Sequence, residues 1–287
     1  MNKRLKIILL VLLSLFAAIG LLFSGVFVAM QFGLLNVRGS ILERNSFFTG
    51  SATTTAAATI PAKPCVEEGQ RVCSWDETPE WAVVEGGLEK DAAIIARVSA
   101  ATGISSRMIA SVVIPEQIRF FTSEREVFKR YFEPLKILGS LSQFSLGVSG
   151  IKQETARKVE EYANDPSSPF YPGPEAAQLL AYSEGVTDRD AELYRRLTDD
   201  KDHYYSYLYT ALYIKEVNAQ WSAAGFNIEN NPEAVVTLFN IGFPNSRPNA
   251  SPQAGGAPIT VGGTTYTFGD LGAAFYRSDK LRSVLPQ

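Results

Sequence analysis

A carboxylic acid set among apolar side chains is the feature of this sequence best able to do chemistry. Glu116 follows the run Ala110-Ser-Val-Val-Ile114 and lies in Ile114-Pro115-Glu116-Gln117-Ile118-Arg119. A carboxyl held against apolar walls resists ionisation, which raises its pKa. A general acid working near neutrality needs such a group. The plainer reading of the same residues is a surface Glu paired with Arg119 at i+3. Other chemistries lack their parts. The chain has one His, His203, and two Cys, Cys65 and Cys73, which argues against a zinc cluster and leaves any Ser-His-Asp apparatus dependent on His203 alone. His203 falls in Asp199-Asp200-Lys201-Asp202-His203 and reads as a surface residue in a solvated charge run. That run lacks the alternating ligands and Gly of a calcium loop. Neither a Gly-rich phosphate loop nor a Gly-x-Ser-x-Gly elbow is present. No metal or cofactor is expected.

The elements that must position Glu116 begin beyond residue 74. Before them, Lys3, Arg4 and Lys6 precede a run of 24 uncharged residues from Ile7 to Met30. About 20 residues of helix cross a bilayer core, and the basic flank keeps the N-terminus cytoplasmic. A cleaved signal would have an apolar stretch of about 7–15 residues, so residues 1–32 read as an uncleaved single-pass anchor with the rest of the chain exported. Residues 33–74 read as a linker. Within it, Gly50 to Pro64 is small and uncharged up to Lys63, a composition that buries no core. Cys65 and Cys73 flank a turn at Glu68-Gly69-Gln70, and in an exported chain they are expected to pair. The 287 residues are 46% hydrophobic, with 27 basic and 30 acidic groups. This is a globular composition without the basic excess that nucleic-acid binding calls for.

Residues 75–287 read as one mainly α domain. Leu88, Ala92, Ile95 and Val98 share a helical face, which Gly103 ends. Ser105 or Ser106 caps a second helix, and Pro115 is expected to break or kink it just before Glu116. Further helices are expected over Glu126 to Leu138, Gln153 to Ala163, Pro174 to Glu184, Asp188 through Trp221 and Glu233 to Phe239. Ile259-Thr-Val and Thr265-Tyr-Thr-Phe flank Gly262-Gly263 as a small β-hairpin. Tyr204, Tyr205, Tyr207, Tyr209 and Tyr213 fit core packing with a partly wet face better than sugar stacking.

Two more segments join Glu116. Phe144-Ser-Leu-Gly-Val-Ser-Gly-Ile-Lys-Gln-Glu-Thr-Ala156 is a Gly-containing turn opening a helix, and Ala234-Val-Val-Thr-Leu-Phe-Asn-Ile-Gly242 is an apolar helix ending in Asn and Gly. In this order, over roughly residues 88 to 280, the segments resemble the lysozyme-like lytic transglycosylases, the Slt-type group related to goose lysozyme. That family has a catalytic Glu after an apolar helix, a turn of the form S-x-G-x-x-Q-I-x-P-x-T-A, and a later A-x-x-x-Y-N-x-G. The resemblance implies that Glu116 is the catalytic acid and that Ser145, Gly147 and Asn240 contact substrate. Ile151, Thr155 and Ala156 match the helix after the turn, and Tyr276 matches a Tyr that closes many such sites. The family's Gln is Gly150 here, its Tyr is Phe239, and the stretch from Glu116 to Ser145 is longer, holding Phe120, Phe121, Tyr131 and Phe132.

The resemblance implies a lysozyme-like fold and cleavage of the MurNAc–GlcNAc β-1,4 bond of peptidoglycan outside the cytoplasmic membrane. One Glu protonates the leaving oxygen and then accepts the C6 hydroxyl proton, giving a 1,6-anhydro sugar without a second carboxylate. Ser145 would hold the N-acetyl group, and Asn240 would orient Glu116 or a carbonyl near the sugar. Residue by residue, a turn cap at Ser145 and a helix C-cap at Asn240 explain the same positions. The alternatives are a hydrolytic muramidase with Glu124, Glu126 or Glu154 as partner, or an inactive wall-binding scaffold.

Overall fold

The computed structural model describes residues 20–21, 73–122, 145–199 and 201–287. Apart from the helical pair Gly20 and Leu21, the expected anchor lies outside these residues. So do Cys65, most of the linker and the expected helix from Glu126 to Leu138. Among the described residues no helix is long and apolar enough to cross a membrane. The remainder is mainly α, as read from the sequence, with two small antiparallel β pairs.

Helix α1 (Pro79–Thr102) begins at Thr78, whose hydroxyl accepts the Trp81 N–H at 3.2 Å, and ends at Gly103 in the left-handed conformation. It buries Trp81, Val84, Leu88, Asp91, Ile95, Val98 and Thr102, a single stripe at three- and four-residue spacing. Helix α2 (Ser106–Thr122) is capped by Ser105, which accepts the Met108 N–H at 3.2 Å. It is buried from Ser106 to Arg119. Of the break or kink expected at Pro115, the break does not occur: Pro115 lies inside a helix that continues to Thr122. A proline removes the bond to the carbonyl four residues back, here that of Ser111. On that side Gly272 approaches so closely that a Cβ on it would sit 2.5 Å from the Ser111 oxygen. Burial on several sides holds the helix through the defect.

A two-residue strand β1 (Ser145–Leu146) pairs with β2 (Ile151–Lys152), Ser145 opposite Lys152 and Leu146 opposite Ile151. Helix α3 (Gln153–Ala163) follows directly, then α4 (Pro174–Leu180), which stops short of the expected Glu184. The single helix expected from Asp188 to Trp221 is two, α5 (Arg189–Thr198) and α6 (Tyr204–Ala223). The acidic run divides them for a local reason. Asp199 accepts the N–H groups of Lys201 and Asp202, and Asp202 accepts that of Tyr204, so side-chain acceptors replace helical carbonyls.

His203, expected on the surface, is 4% exposed, and its Nδ1 lies 2.5 Å from Asp91 Oδ2. Tyr207 donates to the same carboxylate at 2.9 Å. Lys201 and Asp202 of the charge run are exposed, whereas His203 turns inward to tie α6 to α1. Helix α6 is buried around most of its girth, with Tyr207, Tyr209 and Tyr213 inside and Tyr204 and Tyr205 half-buried. This is the pattern of a central helix. Glu216, also buried, has no hydrogen-bond partner for either oxygen among the described residues, and burial pushes its carboxyl well above the usual carboxylate range.

Helix α7 (Pro232–Ile241) starts from the Asn231 cap. A hairpin of β3 (Pro258–Val261) and β4 (Thr264–Thr267) turns through Gly262 and Gly263, both at positive φ. Helix α8 (Phe268–Arg277) follows and packs on α2 and α7. Cys73 is not a free thiol, and its N–H donates to Gly262 O at 2.6 Å.

Candidate active site

Three segments far apart in the chain meet at one cleft of about 310 Å³, the size at which small-ligand pockets begin. Its floor is Glu116 and Arg119 of α2, with Gly150 of the β1–β2 turn. One wall is β2 with the start of α3, from Ile151 and Lys152 onward. The other is the end of α7 and the residues after it, Phe239 to Pro244. Glu116 is 4% exposed. Its Oε2 lies 3.9 Å from a guanidinium nitrogen of Arg119, with both side chains nearly buried. The i+3 pair foreseen as a surface alternative therefore exists, but at the bottom of a cleft.

The turn that covers Glu116 is fixed from two sides. Gln117, wholly buried beside Glu116, donates its amide to Val148 O. Ser149 hydrogen-bonds the Ser206 hydroxyl of α6 at 3.1 Å. Gly147 packs onto α6 as well, since a Cβ there would lie 2.7 Å from Ser206 Oγ. Held this way, Gly150 meets Glu116 edge-on: a Cβ on Gly150 would stand 2.7 Å from the carboxyl carbon of Glu116. With φ at +66°, the position favours glycine on conformational grounds too.

Gly150→Ala is accordingly expected to push the Glu116 carboxyl aside and to cost about 1–3 kcal/mol of stability through the left-handed backbone. Any activity that depends on that carboxyl should drop about a hundredfold, as a displacement of around 1 Å does elsewhere. Thermal unfolding together with an activity assay measures both effects. Full activity in the variant would show that the contact positions nothing.

The walls differ in character. Thr155, Lys158 and Tyr162 follow one another along the cleft face of α3 at helical spacing. Lys158 pairs with Glu161 at 2.7 Å and lies 5.9 Å from the centre of the Tyr162 ring. Burial raises the Tyr162 phenol, which keeps it neutral. Tyr162 stacks on Phe170 and meets Phe243 edge to face at 5.0 Å. Phe243 packs 4.2 Å from Tyr213, with Phe239 at 5.2 Å from the same ring. The α7 wall is thus apolar and backed by the core. Asn240 is its polar member. Its Oδ1 accepts the Ala257 N–H at 2.8 Å, which leaves the amide NH2 as the group it can offer a ligand.

Of the residues singled out in the sequence, the structure brings Glu116 and Asn240 together at this cleft, along with Ile151 and Thr155. It does not bring Gly147 there, which serves the turn. The backbone of Ser145 pairs with Lys152 in the β1–β2 pair. Tyr276 is not among the residues that line the cleft. It sits on α8, half-buried, and its carbonyl accepts Arg107 Nε at 2.6 Å. Asn240 is not a cap either, because that position is Gly242, whose N–H bonds Leu238 O. Gln117, Lys152, Lys158, Tyr162 and Phe243 went unread. The 155–158–162 spacing on α3 was the available signal for the wall, whereas nothing local marks Gln117.

Chemically the cleft offers one buried carboxyl on its floor, a guanidinium beside it, an amide donor and an aromatic wall. Glu154 is the other carboxylate in the lining, exposed on the first turn of α3. Among the described residues no group of three or more His, Cys, Asp or Glu could hold a metal ion. Comparison with protein-family models, with curated proteins and with solved structures finds no match for this chain.

Proposed function

We propose that this protein is a peptidoglycan lytic transglycosylase with a lysozyme-like catalytic domain. In this reading residues 1–32 anchor it in the cytoplasmic membrane, and a linker clipped by a Cys65–Cys73 disulfide carries the domain into the periplasm or cell-wall space. The observation that carries the proposal is the position of Glu116, buried at the floor of a cleft open to ligand, with Gly150 against its carboxyl.

The mechanism asks one carboxyl to act twice. As a neutral acid it protonates the glycosidic oxygen of the MurNAc–GlcNAc bond while the substrate's N-acetyl group stabilises the oxocarbenium-like centre. As a carboxylate it then takes the C6 hydroxyl proton, and the 1,6-anhydro ring closes. Burial favours the neutral form, whereas the Arg119 guanidinium favours the charged one, so both forms have support in the cleft. The apolar wall from Phe239 to Phe243 suits the flat faces of sugar rings, and the Asn240 amide suits an acetamido or hydroxyl oxygen.

Mass analysis of the sugars released from purified peptidoglycan tests the reading. Muropeptides with 1,6-anhydro ends are the expected products. Reducing ends would indicate hydrolysis, for which Glu154 is the candidate second carboxylate. Release of no sugar by a protein that still binds the glycan would favour a wall-binding scaffold. Gly150 and Phe239, which stand where the transglycosylases carry Gln and Tyr, favour that second reading.

A further inference from the structure

The cleft is asymmetric in charge, and its cations are not equivalent. Arg119 faces Glu116 at 3.9 Å, and Lys158 is engaged by Glu161 at 2.7 Å. Lys152 lines the same cleft half-buried and makes no ion pair with any described residue. Its place is close to the reacting carboxyl. It follows Ile151 in β2, two residues after the Gly150 that touches Glu116, and the Ser145 pairing fixes its register. The facing wall from Phe239 to Pro244 carries no charge at all. A ligand in this cleft therefore meets apolar surface on one side and, on the other, a cation that forms an ion pair with no described carboxylate, beside the exposed Glu154.

From this juxtaposition we infer that Lys152 is a specificity-determining residue, selecting glycans that bear a carboxylate substituent next to the bond presented to Glu116. The inference rests on the proposed glycan-cleaving site and deepens it. The rings lie against the α7 wall, and the acidic substituent points toward α3, where the ammonium group meets it. In peptidoglycan that carboxylate has two sources. It is the free lactyl acid of muramic residues stripped of peptide, or an acidic group of the peptide still attached. A neutral β-1,4 glycan has neither.

The test compares the full-length protein in detergent with its Lys152→Gln and Lys152→Arg variants. Binding and cleavage are followed on intact peptidoglycan strands, on strands stripped of peptide by an amidase, and on chitin oligosaccharides. The wild type should prefer one or both carboxylate-bearing ligands to chitin. In Lys152→Gln that preference should shrink about tenfold, the worth of one charge-assisted contact of about 1.4 kcal/mol. Lys152→Arg should restore it, and added salt should weaken it in the wild type. Loss confined to stripped strands assigns the lactyl acid, and loss confined to intact strands assigns the peptide. An equal change on chitin, an unchanged preference in Lys152→Gln, or no binding of carboxylate-bearing strands overturns the inference. A Lys152-dependent preference without sugar release would leave it standing while removing the enzymatic reading, and sugar release indifferent to Lys152 would do the reverse.

Discussion

Glu116→Gln is expected to abolish sugar release from peptidoglycan while leaving the fold and glycan binding in place. Gln matches Glu in size, so the packing against Gly150 and the position of Arg119 survive. What it removes is the exchangeable proton. Positioned acid–base groups contribute about 10²–10⁴-fold to rate, and here a single group serves both steps, so the loss should reach the upper end of that range. Turbidity clearing and quantification of anhydro-muropeptides check it, with binding and thermal unfolding as controls. A variant that clears peptidoglycan at the wild-type rate would remove Glu116 from the chemistry and with it the proposed mechanism.

Arg107→Leu should be the most destabilising of the substitutions considered. Arg107 is 0% exposed, and its guanidinium bonds chiefly to carbonyls of the last turn of α8 and of the residues just after it. It donates to Phe275 O at 2.7 Å, Tyr276 O at 2.6 Å, Lys280 O at 2.9 Å and Ser278 O, and lies 4.5 Å over the Phe275 ring. The cation thereby caps the C-terminal end of α8, where the helix dipole favours it. Leu would leave one buried and three part-buried carbonyls without this donor, a buried one costing about 1–3 kcal/mol and the others less. A total near 4 kcal/mol lowers the melting temperature by about 10 °C in a domain of this size. Lys would recover part at most, since it lacks the planar fork. Thermal unfolding followed by circular dichroism measures the effect, and a fall of less than about 2 °C would mean that water replaces these bonds freely.

Much of this arrangement is legible in the sequence, because local signals decide local structure. The Gly103 end of α1, the Gln153–Ala163 helix and the Gly262-Gly263 hairpin follow from periodicity and glycine. Pro115 was misleading because proline's penalty is local, whereas the burial that outweighs it comes from α1, α7 and α8. The 188–221 stretch was misread in the opposite sense. Its helical periodicity is continuous, but three aspartate-to-backbone bonds interrupt it. At the site, Glu116, the glycine turn and Asn240 each carried a sequence signal. The role of Gly150 did not, for only the fold places its missing Cβ on the carboxyl. Tyr276 shows the converse, a matching letter that does not line the cleft.

The burial of α2 carries a consequence for when the cleft first exists. The helix bearing Glu116 packs on α8 and α7, and the Arg107 N–H bonds Pro286 O. A fragment ending before Pro232 lacks both the apolar wall and the covering that lets a proline-containing helix persist. During ribosomal synthesis, or threading through a translocation channel, the carboxyl is therefore present long before its surroundings are. Under the proposed function, the polypeptide would stay inert toward glycan until nearly all of residues 73–287 have been delivered and have closed around α2.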